Sequence, residues 1–261
     1  MNTRLWQILN VLAAVFALTM NGLANGLPLF GRTTGELSDL YPNLFVPAGL
    51  TFSIWGLIYL LLIGLLIYQF RDLGNAKARN DVEGLVRALS PWLVINLIAN
   101  GLWIVAWHAT QLPLSLGLML VILISLVQLN IRLDARKPIA PANEKWFARV
   151  FVSVYLGWIS VATIANVTAL LVNSGITGGE MEAALTAGMI LIAVMLGFVF
   201  IWQRGDWAYG LVIVWALLGI LIKRNAIADS PSILFSVLYA GLAILVITMA
   251  IRIFRPGPMR L

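Results

Sequence analysis

The sequence predicts an all-α polytopic membrane protein that crosses the bilayer eight times. Three observations carry this reading. The 261 residues are 61% apolar and 11% charged, with a mean hydropathy of +0.94, whereas a soluble domain is roughly 45–50% apolar and about 25% charged. The apolar residues gather into long runs whose middles hold no charge. The basic residues collect on alternate links between those runs, as the positive-inside bias of membrane proteins requires.

The runs are 5–23, 47–70, 92–108, 112–132, 146–172, 183–202, 207–222 and 232–253. The first follows Arg4 as a signal sequence would, but its length and the lack of a small-residue cleavage site predict a retained span. The second has 24 uncharged residues. At about 1.5 Å per helical residue it reaches about 36 Å, enough to cross a hydrocarbon core of about 30 Å. Between these two runs, 24–46 contains Pro28, Gly31, Gly35, Asp39 and Pro42; links of this length are commonly functional. The 72–90 link mixes charge with Val82, Leu85, Val86 and Leu89, which predicts a short amphipathic surface helix. The 134–145 link holds two prolines and reads as an irregular basic loop against anionic membrane lipid. The shortest link, 203–206, decides between eight spans and seven. With both termini cytoplasmic, 14 of the 17 basic residues lie inside, and only Arg32, Lys223 and Arg224 lie outside. The expected location is a bacterial inner (cytoplasmic) membrane.

Several function classes drop out. The absence of cysteine removes disulfides, thiolate nucleophiles and Cys-ligated metals. The single histidine, His108, ends the third run and reads as an interfacial cap, so no metal site is expected. Loop bias accounts for the net charge of +6, leaving no nucleic-acid partner to invoke. No ionisable residue sits in the middle of a span, which argues against a proton-coupled pump. Paired carboxylates, a nucleophile elbow and a phosphate-binding loop are all missing. The chain is therefore not read as an enzyme, and no cofactor is expected.

What remains is a pattern of aromatic and amide side chains. In the second run, Trp55 and Tyr59 share a helix face with Phe52 one turn earlier. In the third, Trp92, Asn96, Asn100, Trp103 and Trp107 fall within an arc of about 80° at roughly 100° per residue. Amides are costly in lipid, so Asn96 and Asn100 should face protein or a ligand. In the fifth, Tyr155, Trp158 and Asn166 run along one side, interleaved with small residues. The candidate ligand-binding residues are therefore Phe52, Trp55, Tyr59, Asn96, Asn100, Trp103, Tyr155, Trp158 and Asn166. Read alone, they fit a receptor for a flat hydrophobic ligand. They also fit a permease for a small neutral metabolite, or a structural or regulatory subunit whose Trp stripe is packing.

The same residues resemble the TspO/MBR family of tryptophan-rich sensory proteins and translocator proteins. The resemblance spans about residues 5–172. It rests on an uncharged first helix, a long first loop, and the Pro47, Phe52, Trp55, Tyr59 series. Asn100–Trp103 on the third span and Tyr155, Trp158 and Asn166 on the fifth complete it. It implies a five-helix bundle over 1–172, commonly dimeric, with a pocket under the first loop that binds porphyrins such as protoporphyrin IX. It also implies that Trp55 and Trp158 would be the residues linked to light-dependent porphyrin degradation in some bacterial members. The chain departs from the family at Y-P-N-L-F-V-P-A-G, where a Trp-rich double-proline segment is usual. It also lacks a sterol-type Tyr/Arg motif at the end of span five. The three further spans make 173–261 a C-terminal extension.

Overall fold

The computed structural model describes residues 2–27 and 31–254; Pro28, Arg255 and Arg260, used in the loop and charge arguments, lie outside the described residues. Helix α1 spans Thr3–Gly26 and α2 Thr34–Ser38, and a 3-10 turn, Gly49–Ser53, leads into α3 at Ile54–Tyr68. Then come α4 (Arg79–Leu89), α5 (Trp92–His108) and α6 (Leu112–Arg136). A π-helical turn at Lys145–Arg149 opens α7 (Val150–Asn173), followed by α8 (Glu182–Arg204), α9 (Trp207–Asn225) and α10 (Ser232–Phe254). The described residues contain no strand.

Among the described residues seven helical stretches are long and apolar enough to cross a membrane, and α4 with α5, bent by 49°, make an eighth candidate. The all-α, multi-pass membrane architecture is thus present. The 203–206 link does separate two helices. Gly205 ends α8 in the left-handed conformation at φ 63°, which a side chain adopts only under strain. Asp206 then caps α9 by accepting the Tyr209 amide at 3.1 Å. The amphipathic helix expected in 72–90 is α4, and α6 runs on to Arg136, so helix replaces the first residues of the expected irregular loop.

The chain forms two compact units. The first comprises the residues up to Thr34 together with Ile54–Leu156; the second comprises Gly35–Ser53 and the residues from Gly157 onward.

In the first unit α5 packs against both α1 and α6, and α4 packs on α1 and α6. Gly101 of α5 faces the ring of Phe16 so closely that a Cβ there would overlap it. That absence of a side chain lets α1 and α5 approach. Helix α1 is inside-out by soluble standards. It exposes Leu5, Ile8, Leu12 and Val15 and buries Gln7, Asn10 and Asn21. In lipid this arrangement is favourable, since apolar side chains meet acyl chains and amides must find partners inside the protein. Gln7 donates to the Gln69 carbonyl, Asn10 donates to Gln69 Oε1 at 3.0 Å, and Arg4 pairs with Asp72 at 2.7 Å.

In the second unit α8, α9 and α10 pack on one another, and the 3-10 turn lies on α9. Trp215 donates its indole N–H to the Thr51 carbonyl at 2.9 Å, the Ala48 amide donates to the Gly219 carbonyl at 2.9 Å, and Lys223 pairs with Asp39. Helix α9 therefore fixes the 39–51 segment at three points.

Candidate functional site: an aromatic cluster around Trp55

The first unit gathers aromatic side chains from three helices around the buried Trp55. Tyr59, one turn along α3, stacks on it with centroids 5.7 Å apart and planes at 22°. Trp103 of α5 lies 5.8 Å away, and Tyr155 of α7 meets it edge-on at 5.7 Å. Trp107 stacks on Trp103 at 6.2 Å, and Phe151 packs beside Tyr155 at 5.9 Å. The local cause is helical spacing: Trp55/Tyr59 and Trp103/Trp107 are i, i+4 pairs, so each helix presents two rings on one face.

Polar atoms are set among these rings. Asn100 is fully buried, and its Oδ1 accepts from Asn21 Nδ2 of α1 at 2.9 Å. Its amide nitrogen, turned the other way, faces the Tyr155 hydroxyl. The Tyr155 hydroxyl accepts from Asn100 and lies within electrostatic reach of Tyr59, whose own hydroxyl is buried without a partner. The Trp103 indole N–H is likewise buried and unbonded. The Tyr59 hydroxyl and the Trp103 indole N–H are thus buried without a partner in the same cluster that holds the Asn100–Tyr155 pair.

The structure treats the nine sequence-derived residues differently. Trp55, Tyr59, Asn100, Trp103 and Tyr155 come together as described. Asn96 turns to α6 instead, donating to Ser125 Oγ at 2.9 Å and to the Ile122 carbonyl at 3.3 Å. In the second unit Phe52 meets Trp158 edge-on at 5.8 Å. Asn166 is buried two turns further along α7. The remaining members of the α5 stripe serve other ends. Trp92 lies under the Arg132 guanidinium at 6.0 Å, and Trp107 donates to the Thr34 carbonyl at 3.4 Å. His108 is buried with Nδ1 against the Ile104 carbonyl at 2.8 Å, one turn back on its own helix.

Sequence reasoning missed Asn21 and Asn25. Asn21 Nδ2 also donates to the Ala17 carbonyl, while Asn25 donates to the Asn21 carbonyl and accepts from the Thr34 amide and hydroxyl at 3.2 and 3.0 Å. The signal was present in α1. Gln7, Asn10, Ala14, Ala17, Asn21 and Ala24 recur at intervals of three and four, marking an amide-bearing face inside an otherwise apolar span.

Comparison with the curated proteins and with the solved structures found no match to this chain. A family match covers residues 7–251, taking in the C-terminal helices as well as the first five spans. On that match, made over nearly the whole chain and consistent with the multi-pass helical fold, the protein belongs to the TSPO-like protein family.

Proposed function

We propose that this membrane protein is a sensor or receptor that binds a flat hydrophobic ligand at the Trp55 cluster, a tetrapyrrole such as protoporphyrin being the leading candidate. One observation carries the reading: a buried Asn100–Tyr155 pair and two buried polar atoms without partners, the Tyr59 hydroxyl and the Trp103 indole N–H, sit among indole and phenol rings drawn from α3, α5 and α7. An orphaned buried donor or acceptor costs about 1–3 kcal/mol, so a packing core alone would favour Phe or Leu at these positions. Indole faces stack on an extended π-system, and the polar atoms can bond its substituents.

The wider reading keeps 1–172 as the ligand-binding portion and 173–261 as an extension that supports it. A homodimer enters through the family resemblance. Placement in a bacterial inner membrane with cytoplasmic termini is favoured by the distribution of basic residues.

The test is titration of the purified protein in lipid nanodiscs with protoporphyrin IX, followed by tryptophan fluorescence and by porphyrin absorbance. The Trp55→Leu, Trp103→Leu double variant is expected to lose most of the affinity. Undiminished binding by that variant removes the cluster from the function.

A further inference from the structure

We infer that Arg224, at the end of α9, anchors a further binding site in the second unit, one that holds a phosphate-type oxyanion at the membrane interface.

Chain order brings the parts of this site together. Helices α8, α9 and α10 follow one another through short links and pack on one another. Glu182 at the start of α8, Arg224 at the end of α9 and Ser232 at the start of α10 therefore share one end of the second unit. The turn between α9 and α10 folds back on Arg224. The Arg224 carbonyl accepts from the Ile227 amide at 3.2 Å and from the Ser230 hydroxyl at 2.9 Å, two residues before α10 begins.

The guanidinium has no counterpart in this arrangement. Arg224 is only 4% exposed, and its Nε is sealed from solvent without a hydrogen-bond partner. Among the described residues no carboxylate forms an ion pair with it. Glu182 lies within electrostatic reach only. Lys223 has taken Asp39, and Asp229 in the turn is exposed. The negative end of the α9 dipole offsets part of the charge but bonds none of its N–H groups. A covered charge without a partner is costly, and Arg136 in the first unit shows the usual remedy, a two-bond clasp on Glu144. For Arg224 the missing partner is one the protein does not itself supply.

The chemistry of that partner follows from the donors. An arginine fork matches the paired oxygens of a phosphate. The first-turn amides of α10, which no carbonyl of their own helix can reach, add further donors and the positive end of a dipole nearby. Ile222, Ile227 and Ile233 around the turn are exposed, surroundings that suit the acyl chains of a phospholipid. The same donors would accept free phosphate.

The experiment uses the full-length protein in non-ionic detergent. Retention of phosphatidylglycerol is counted by native mass spectrometry, and inorganic phosphate is titrated at constant ionic strength with the thermal midpoint as readout. The wild type is expected to bind one of the two probes, and Arg224→Leu to weaken that binding about ten- to hundredfold, the range of hydrogen bonds to a charged group. Glu182→Gln, which removes a like charge from beside the anion, is expected to tighten it. Retention of the lipid assigns the site to a headgroup, and a rise of the midpoint with phosphate assigns it to the free ion; either supports the inference. Binding of neither probe by the wild type, or undiminished binding by Arg224→Leu, overturns it. So does a Glu182→Gln variant that loses stability and binds no tighter, for Glu182 is then the counterion. Should Arg224→Leu fail to fold, Arg224→Lys decides: it keeps the charge and loses the fork, so an unchanged affinity overturns the site.

Discussion

Arg136 at the end of α6 grips Glu144 with two hydrogen bonds, Nε to Oε1 at 3.1 Å and Nη2 to Oε2 at 2.9 Å, and the Glu144 side chain is wholly buried. Arg136 also reaches the Asp81 carbonyl of α4 at 3.4 Å and lies so close over Gly84 that a Cβ there would overlap it. The pair therefore ties α4, α6 and the link into α7 into one corner of the first unit. Removing one partner of a buried pair leaves a charge with no compensation, which costs about 3–5 kcal/mol. Arg136→Ala and Glu144→Ala are each expected to destabilise the protein by roughly that amount in reversible unfolding from mixed micelles. The double variant should cost less than the two together. Strict additivity would show that the two side chains do not depend on each other.

The three ties between α9 and the 39–51 segment differ in strength for a physical reason. Lys223 and Asp39 keep 23% and 60% of their side-chain surface exposed, and a pair so wetted is worth well under 1 kcal/mol and weakens with salt. The Trp215 to Thr51 bond is partly buried and combines an N–H donor with a large apolar body. In hydrogen exchange, Trp215→Phe should speed exchange of the Ala48 and Thr51 amides by about three- to tenfold, and Lys223→Ala should change it by less. The Lys223→Ala effect should vanish in high salt. A larger effect from Lys223→Ala would reverse this ranking.

Gly101 predicts the tightness of the α1–α5 contact. Any Cβ at this position meets the Phe16 ring, so Gly101→Leu has to displace Phe16 or part the helices, at a cost of about 1–3 kcal/mol. The Asn21–Asn100 bond joins the same two helices. The substitution should therefore weaken both thermal stability and ligand affinity. Pairing it with Phe16→Ala, which makes room, should restore most of the stability. If the double variant is no more stable than Gly101→Leu alone, the ring is not what limits the approach.

The membrane fold was legible because hydropathy registers over whole spans. The eight runs map onto α1, α3 and α5 to α10, and the break at Gly205–Asp206 carries its own turn and cap residues. The aromatic part of the site was legible from i, i+4 spacing on α3 and α5. The amides were harder to place. Asn96 and Asn100 sit four residues apart on one face, yet one bonds α6 and the other α1. Spacing on a single helix says which face a residue occupies but not which neighbour that face meets. Asn21 escaped notice because an uncharged first span looks like plain anchor until its buried side is known. The buried Arg136–Glu144 pair lies where the sequence predicts an irregular basic loop, for burial of a link depends on tertiary packing that hydropathy does not record.

The five residues of the α5 stripe give a last, discriminating prediction. They share an arc, but Trp92 lies under Arg132 near the start of the helix, whereas Trp103 sits against Trp55 with its indole N–H unbonded. If the stripe were merely apolar filling, replacing either ring with Leu would act on stability alone. If the cluster binds a flat ligand, only Trp103 contributes a stacking face, a contribution of about 0.5–1.5 kcal/mol for an aromatic pair. Trp103→Leu should then weaken protoporphyrin binding by roughly three- to tenfold, and Trp92→Leu should leave the affinity unchanged even where it lowers the thermal midpoint. Equal losses from the two variants would mean that binding follows the integrity of α5 and not the rings around Trp55.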